Sequence, residues 1–378
     1  MVLTTPADAA ATATPAPRPL SVMVVVISLH GGGAEFVGRT WMEWLVSQGH
    51  SVTAVTTSSK DTDRYLPAGV AAVSLGGVRG HAAKARALKR LFEERRPDAA
   101  VGLQAYANLV LVAAAELMPK SSRPAVVVSE RNLVAYGLPG SPLSHRVKHL
   151  LTRRAYRRAD HVIAISHPIA GELAGGFGIP EGRCTVVPNP AAAKVPGRSV
   201  RRSADDIDIE VIIAHRLVPQ KRPALAVRTA AELARRGHRV RLTVFGTGPL
   251  LDELVTLAGE LQVDLNHRGW VEDWFAECSD KAVFLLASHR EGFGNVLVEA
   301  AAAGVPSVAL SGALGVADAL VPGITGELAI DDSPARVADA LERAAGISIP
   351  DISAWLDHFS SRSSGTTLEH VLRKAIAT

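Results

Sequence analysis

The sequence predicts an α/β chain of two doubly wound, Rossmann-like domains facing a central cleft. Three observations carry this. Short Val/Ile runs alternate with longer helical patterns along most of the 378 residues, and such alternation gives parallel sheets covered on both faces. The alternation stops once, after "CTVVPNP" (184–190), in the stretch "AAAKVPGRSVRRSADD", which has no apolar periodicity. It then resumes as a second series, and the length suits two domains of ordinary size.

In the first series, strands are expected near 22–29, 51–57, 70–75, 98–103, 124–129 and 160–165, with helices between them such as 34–48 and 81–95. The second series has strands near 209–216, 239–246, 281–288 and 305–310. The expected organisation is a disordered tail at 1–19, rich in Ala, Thr and Pro, a first domain at 20–190, a linker at 191–208 and a second domain at 209–345. A last helical pattern fills 346–378, and the sequence leaves open which domain it packs on.

Apolar residues make up 47% of the chain, enough for a full core, and the formal charge is +4. That mild excess suits anionic ligands or an anionic membrane surface and predicts no nucleic-acid partner. Cys184 and Cys278 lie in different halves without metal-ligand spacing. Neither a disulfide nor a metal is expected, and a reducing cytoplasm fits. The apolar run "LSVMVVVISL" (20–29) is too short to span a bilayer. It lacks the basic start and small-residue cleavage site of a signal peptide, so it reads as a buried parallel strand.

Three turns at the carboxyl ends of strands carry the chemistry. The first is "LHGGGAEF" (29–36), whose glycines let backbone N–H groups approach phosphate oxygens. Counting from Gly31, the sixth position is Phe36, and the second strand ends in Thr56 and Thr57 rather than an acid. The dinucleotide fingerprint is therefore absent, and the loop is read as closing over a ligand held mainly by the second domain. The second turn is "AHRLVPQKRP" (214–223), where Arg216 offers a planar fork and Lys221 a mobile charge, a pair suited to a diphosphate.

The third is "SHREGFGNVLVEAAAAG" (288–304). Gly292 and Gly294 permit a turn that aims N–H groups at a ligand, and "NVLVEAAAA" is a helix stopped by Gly304. Its N-terminus favours an anion. Glu299, about one turn in, is placed to accept hydrogen bonds from two ribose hydroxyls. Glu291, before the turn, is placed to reach hydroxyls beyond the phosphates.

Together "HGGGAEF", "ADHVIAISHPIAGELAGGFGIPEGRCTVVPNP", "HRLVPQKRP", "VFGTGPLLDEL", "RGWVED" and "EGFGNVLVEA" resemble the retaining glycosyltransferases of family GT4, which have the GT-B fold. The resemblance covers about residues 20–345. It implies that Arg216 and Lys221 bind the donor diphosphate, that Glu291 and the backbone of Gly292, Phe293, Gly294 and Asn295 hold the donor sugar, and that Glu299 binds the ribose. It also implies that Gly246 and Gly248 line the nucleotide pocket, that the backbone at Trp270 and Val271 meets the base, and that Gly32 and Gly33 close over the phosphates. No cofactor is implied.

The chain departs from the family pattern at three places. Many relatives have a His after the strand ending here at Ser129, where this chain has "SERN", leaving Glu130 or Arg131 to replace it. Phe36 stands where a basic residue is common, and the turn is "GFGN" rather than "GFPN". "SERN" is similar to a subset acting on polysaccharide or lipid-linked glycans, often with UDP-N-acetylhexosamine donors.

The expected reaction is retaining transfer from a nucleotide-diphosphate sugar to a hydroxyl of a glycan, lipid-linked or small-molecule acceptor. The alternatives are a nucleotide-sugar epimerase of the same fold and a non-enzymatic sugar-binding protein. The acceptor is expected against the first domain. There Arg79, Lys84, Arg86, Lys89 and Arg90 crowd beside Leu88 and Leu91, a pattern expected to touch anionic lipid at about 1 kcal/mol per cation. A second basic pattern lies at 145–158.

Overall fold

A computed structural model describes residues 18–58, 65–134, 142–200 and 206–378. The first domain contains β1 (Ser21–Val26), α1 (Gly33–Ser47), β2 (Ser51–Thr56), β3 (Ala71–Ser74), α2 (His81–Arg95), β4 (Ala99–Leu103) and α3 (Ala105–Glu116). It continues with β5 (Ala125–Glu130), α4 (Leu143–Tyr156), β6 (His161–Ala164), α5 (His167–Glu172) and β7 (Cys184–Val186). The second contains β8 (Ile209–Ala214), α6 (Pro223–Arg235), β9 (Val240–Phe245), α7 (Leu251–Glu260), β10 (Asp264–Gly269) and β11 (Ala282–Leu286). It ends with α8 (Asn295–Ala303), β12 (Ser307–Leu310), β13 (Gly326–Ala329) and α9 (Pro334–Ala345), followed by α10 (Ser353–Asp357) and α11 (Ser361–Ile376).

Both sheets are parallel throughout. Their orders are β3-β2-β1-β4-β5-β6-β7 and β10-β9-β8-β11-β12-β13. Strand order therefore reverses between β1 and β4 in one and between β8 and β11 in the other, and such switch points are where open α/β sheets bind ligands. The valines of β1 and the apolar residues of β8 are buried on both faces, as helices on either side require. Three observed strands, β7, β10 and β13, fall outside the expected runs. All three are at or next to a sheet edge, and β10 ("DLNHRG") is largely polar and partly exposed, so no continuous apolar run marks it.

The C-terminal segment returns to the first domain. Leu368, Val371 and Leu372 of α11 join Trp41, Met42 and Leu45 of α1 in one buried cluster. Trp41 Nε1 donates to Ser364 Oγ (2.8 Å), and Ser364 Oγ donates to the Pro188 carbonyl (2.6 Å). The expected tail at 1–19 lies outside the described residues except at its end, where Arg18 pairs with Asp98 at 2.7 Å. The expected linker is not all loose connection. Residues Ala191–Lys194 form a 3-10 turn, Ala191 is buried, and residues 201–205 lie outside the described set.

Candidate active site

The two switch points face each other. After β1 the chain turns through Gly31, at φ +124°, and enters α1 at Gly33. A Cβ on Gly33 would sit 2.9 Å from the Asn295 side-chain nitrogen, at the start of α8. Gly294 precedes that helix at φ +99°, and Gly304 closes it at φ +88°, both left-handed conformations that favour glycine. The N-termini of α1 and α8 thus meet across the cleft, each carrying a partial positive charge. Gly32 lies exposed beside them.

The cationic turn follows β8. Arg216 is exposed, whereas Lys221 ends a short 3-10 turn and its Nζ lies 2.5 Å from Glu291 Oε1. Both partners of this pair are mostly buried. The structure therefore brings the cation expected on the phosphates into contact with the carboxylate expected on the sugar. Beside them His215 is buried, and burial, aided by the Lys221 charge, lowers its pKa to about 4. Its imidazole is neutral at physiological pH, with Nδ1 3.1 Å from the Arg216 carbonyl.

Glu299 is 2% exposed. Its Oε2 accepts from Trp274 Nε1 at 3.3 Å, and its Oε1 lies 3.4 Å from Lys194 Nζ. Lys194 also stands over the Phe36 ring, 5.5 Å from its centroid. The two residues that hold this carboxylate were not singled out in the sequence. Lys194 lies in the aperiodic stretch, and Trp274 reads as ordinary core. Asn189 is a third such residue. Its Nδ2 donates to Asn295 Oδ1 at 2.7 Å, and its own Oδ1 accepts from Arg131 Nη1 at 2.9 Å. The quoted "VPNP" was its only signal.

The remaining expected donor residues divide by what their backbone touches. A Cβ on Gly246 would collide with the His215 carbonyl, and one on Gly248 with the Leu217 carbonyl, so close approach of the turn after β8 already requires glycine at both. Trp270, just beyond β10, is 62% exposed, and Val271 is half-buried. Phe293 points away from the cleft and packs on Phe359, with ring centroids 5.4 Å apart, so it can offer a ligand only its backbone. Gly292 is buried under the first domain. Its carbonyl accepts from Ser166 Oγ at 2.7 Å, and a Cβ there would collide with the Arg131 carbonyl.

Two expectations for the first domain need correction. Glu130 is not presented to the cleft. Its Oε1 accepts from the Arg131 and Asn132 N–H groups and its Oε2 from the Tyr156 hydroxyl at 2.6 Å. Burial pushes its pKa up against these bonds, and its role is to hold the loop after β5. Arg131 is also buried, its guanidinium 5.3 Å from the Trp41 ring centroid, and burial lowers its pKa to about 10. It remains charged at neutral pH, and it acts on Asn189 rather than at an open surface.

The basic stretch on α2 divides between paired and exposed cations. Leu88 and Phe92 are buried, Lys84 Nζ donates to the Thr57 carbonyl at 2.5 Å, and Lys89 pairs with Glu93 at 2.7 Å. Arg79, Arg86 and Arg90 are exposed, the last two on the side of the helix away from its buried apolar residues.

Comparison with known proteins accounts for this geometry. Residues 31–190 match the family model described as a glycosyl transferase 4-like domain, and residues 201–346 match glycosyl transferases group 1. The chain belongs to the GT4 family of glycosyltransferases. It is 34% identical over 167 residues to a D-inositol 3-phosphate glycosyltransferase of Frankia alni, a match covering 39% of this chain and 40% of that protein. It is 28% identical over 256 residues to a GDP-mannose-dependent alpha-(1-6)-phosphatidylinositol monomannoside mannosyltransferase of Mycolicibacterium smegmatis, covering 58% of this chain and 64% of that one. The chain thus spans less than two thirds of the length of each of these curated relatives.

Among solved structures, it resembles Anabaena HepE in complex with UDP, with a TM-score of 0.74 and 15% identity over 94% of this chain and 100% of that one. The apo form of the lipopolysaccharide outer core galactosyltransferase WaaB gives a TM-score of 0.73 and 17% identity over 93% and 99%. These likenesses establish the fold as GT-B.

Proposed function

We propose that the protein is a retaining glycosyltransferase that moves a sugar from a UDP-linked donor, N-acetylhexosamine being the first sugar to test, to a hydroxyl of a glycan, lipid-linked or natural-product acceptor. The observation that carries this is the meeting of the α1 and α8 N-termini beside Lys221 and Arg216. Two helix ends and two cations converging from both domains favour a multiply charged anion. They would stabilise a departing nucleoside diphosphate as the glycosidic bond breaks.

Glu291, within contact of Lys221, lies where hydroxyls of the donor sugar would adjoin the phosphates. Glu299, one turn inside α8, would take ribose hydroxyls in place of its contacts with Lys194 and Trp274. UDP is favoured because the HepE structure that shares this fold holds it. Retention is assigned to same-face attack, with the donor phosphate accepting the acceptor's proton, as the family resemblance implies. No cofactor enters the proposal, and the reaction is assigned to the cytoplasm.

Product analysis with a panel of UDP-sugars, with and without added acceptors, tests this. Transfer products that require both substrates are expected. A changed sugar released without acceptor would make the chain an epimerase, and tight binding with no turnover would make it a sugar-binding protein.

A further inference from the structure

The helix α4 is turned inside out relative to an ordinary surface helix. Leu143, Val147, Leu150 and Leu151 follow the i, i+4, i+7, i+8 spacing of one helical stripe. They are 74%, 49%, 63% and 53% exposed. The opposite face, with Thr152, Ala155 and Tyr156, is the one buried in the domain. Core packing therefore does not explain the apolar stripe. The charge around it has one sign. Residues 143–158 carry six cations and no Asp or Glu, and the acid that meets Arg158 comes from Glu116 at the end of α3, 3.2 Å away.

We propose that α4 docks the first domain on an anionic lipid surface, the leucines and Val147 entering the headgroup boundary while the flanking arginines and Lys148 meet lipid phosphates. A helix with an apolar face and a cationic border lies in the plane of such an interface. Charge selects this occupant. A second copy of the chain would bring an equally cationic helix against this one, whereas an anionic bilayer is complementary along its whole length. The same site on α2 fails because its apolar residues point inward. No helix among the described residues is long and apolar enough to cross a membrane, so the contact is peripheral. The proposal rests on α4 itself and stands apart from the transferase reading.

The test is flotation of the full chain with vesicles of mixed phosphatidylcholine and phosphatidylglycerol, against phosphatidylcholine alone. Wild type should float with the anionic vesicles at low salt, bind the neutral ones weakly, and be released by high salt. Val147→Ser/Leu150→Ser/Leu151→Ser and, separately, Arg153→Gln/Arg154→Gln should each lower partitioning at least about tenfold. Thermal melting should be unchanged, because these side chains are exposed. Arg86→Gln/Lys89→Gln/Arg90→Gln on α2 should float like wild type. Wild type left at the bottom of the gradient, or a serine variant that floats as well as wild type, would overturn the proposal. So would a wild-type dimer in sedimentation velocity that the serine variant loses, since the stripe would then be covered by a second copy. Flotation without turnover of any nucleotide sugar would instead count against the transferase reading and leave α4's role standing.

Discussion

Lys221 and Glu291 are the pair on which turnover should depend most. Lys221 lies 2.5 Å from the Glu291 carboxylate, and under the proposed reading a donor diphosphate would share it with Arg216, which stands exposed. Losing a charged hydrogen bond to phosphate costs about 1.5–3 kcal/mol. Lys221→Ala and Arg216→Ala should therefore each lower kcat/KM by one to two orders of magnitude, with circular dichroism unchanged. Near-normal kinetics of both variants with every donor would remove these residues from the site. The two glutamates should separate by readout. Glu299→Ala removes the proposed ribose acceptor and strands Lys194, so calorimetry should show weakened UDP binding. Glu291→Ala should leave UDP binding near wild type and lower turnover. The reverse pattern would invert the proposed direction of the donor in the cleft.

At the scale of elements, the C-terminal helix shows how packing overrides propensity. In an exposed helix, Gly to Ala is worth about 1 kcal/mol of stability. Gly365 is in α11, and a Cβ there would run into the Trp44 ring of α1. Overpacking of this kind costs about 1–3 kcal/mol, so the steric cost exceeds the propensity gain. Gly365→Ala should lower the melting temperature of the first domain by several degrees, measured by calorimetry. A higher melting temperature would mean that α1 and α11 are less closely packed than they stand here. The same contrast explains what the sequence could and could not tell. Central strands such as β1, β4, β8 and β11 must be apolar on both faces, so their Val/Ile runs declared them. The edge strands β7, β10 and β13 have no such constraint. The three turns could be read because glycine, arginine and glutamate at strand ends have few other reasons to cluster. Lys194 could not, because its partner Glu299 is 105 positions away and only the fold brings them together.

For the whole molecule, acidification should destabilise the fold through two buried histidines. His161 in the first domain and His215 in the second are each held to a pKa of about 4, chiefly by burial. Their unfolded value is near 6.5. Between pH 6.5 and 4 the unfolded chain takes up protons at both positions that the folded chain refuses, so stability falls as pH falls through that window. Melting temperatures measured from pH 7.5 down to 4.5 should decline, and His215→Gln should make the decline shallower. A decline in His215→Gln as steep as in wild type would show that the His215 imidazole titrates freely in the fold.

The approach of the two domains can be tested at one atom. Gly292 is not in a left-handed conformation, so alanine is allowed there by its own backbone. What a methyl group meets is the other domain: the Arg131 carbonyl and, at 3.3 Å, the Ile169 side chain. The contact is reinforced by Ser166 on the Gly292 carbonyl, by Asn189 on Asn295 and by His167, whose Nδ1 is 2.8 Å from Asp318. Each is a modest hydrogen bond between the two domains. Gly292→Ala should therefore leave each domain folded but hold the cleft open. UDP binding, which the proposal assigns mainly to the second domain, should change by less than about threefold, a shift of under 1 kcal/mol. Turnover should fall at least tenfold, since the α1 N-terminus no longer reaches the phosphates. Solution scattering should give a larger radius of gyration for the variant than for wild type, both with UDP bound. Ser166→Ala, which removes one hydrogen bond without adding bulk, should move turnover the same way by a smaller factor. Full activity in Gly292→Ala with unaltered scattering would mean that the close approach of Gly292 to Arg131 is not needed for the reaction.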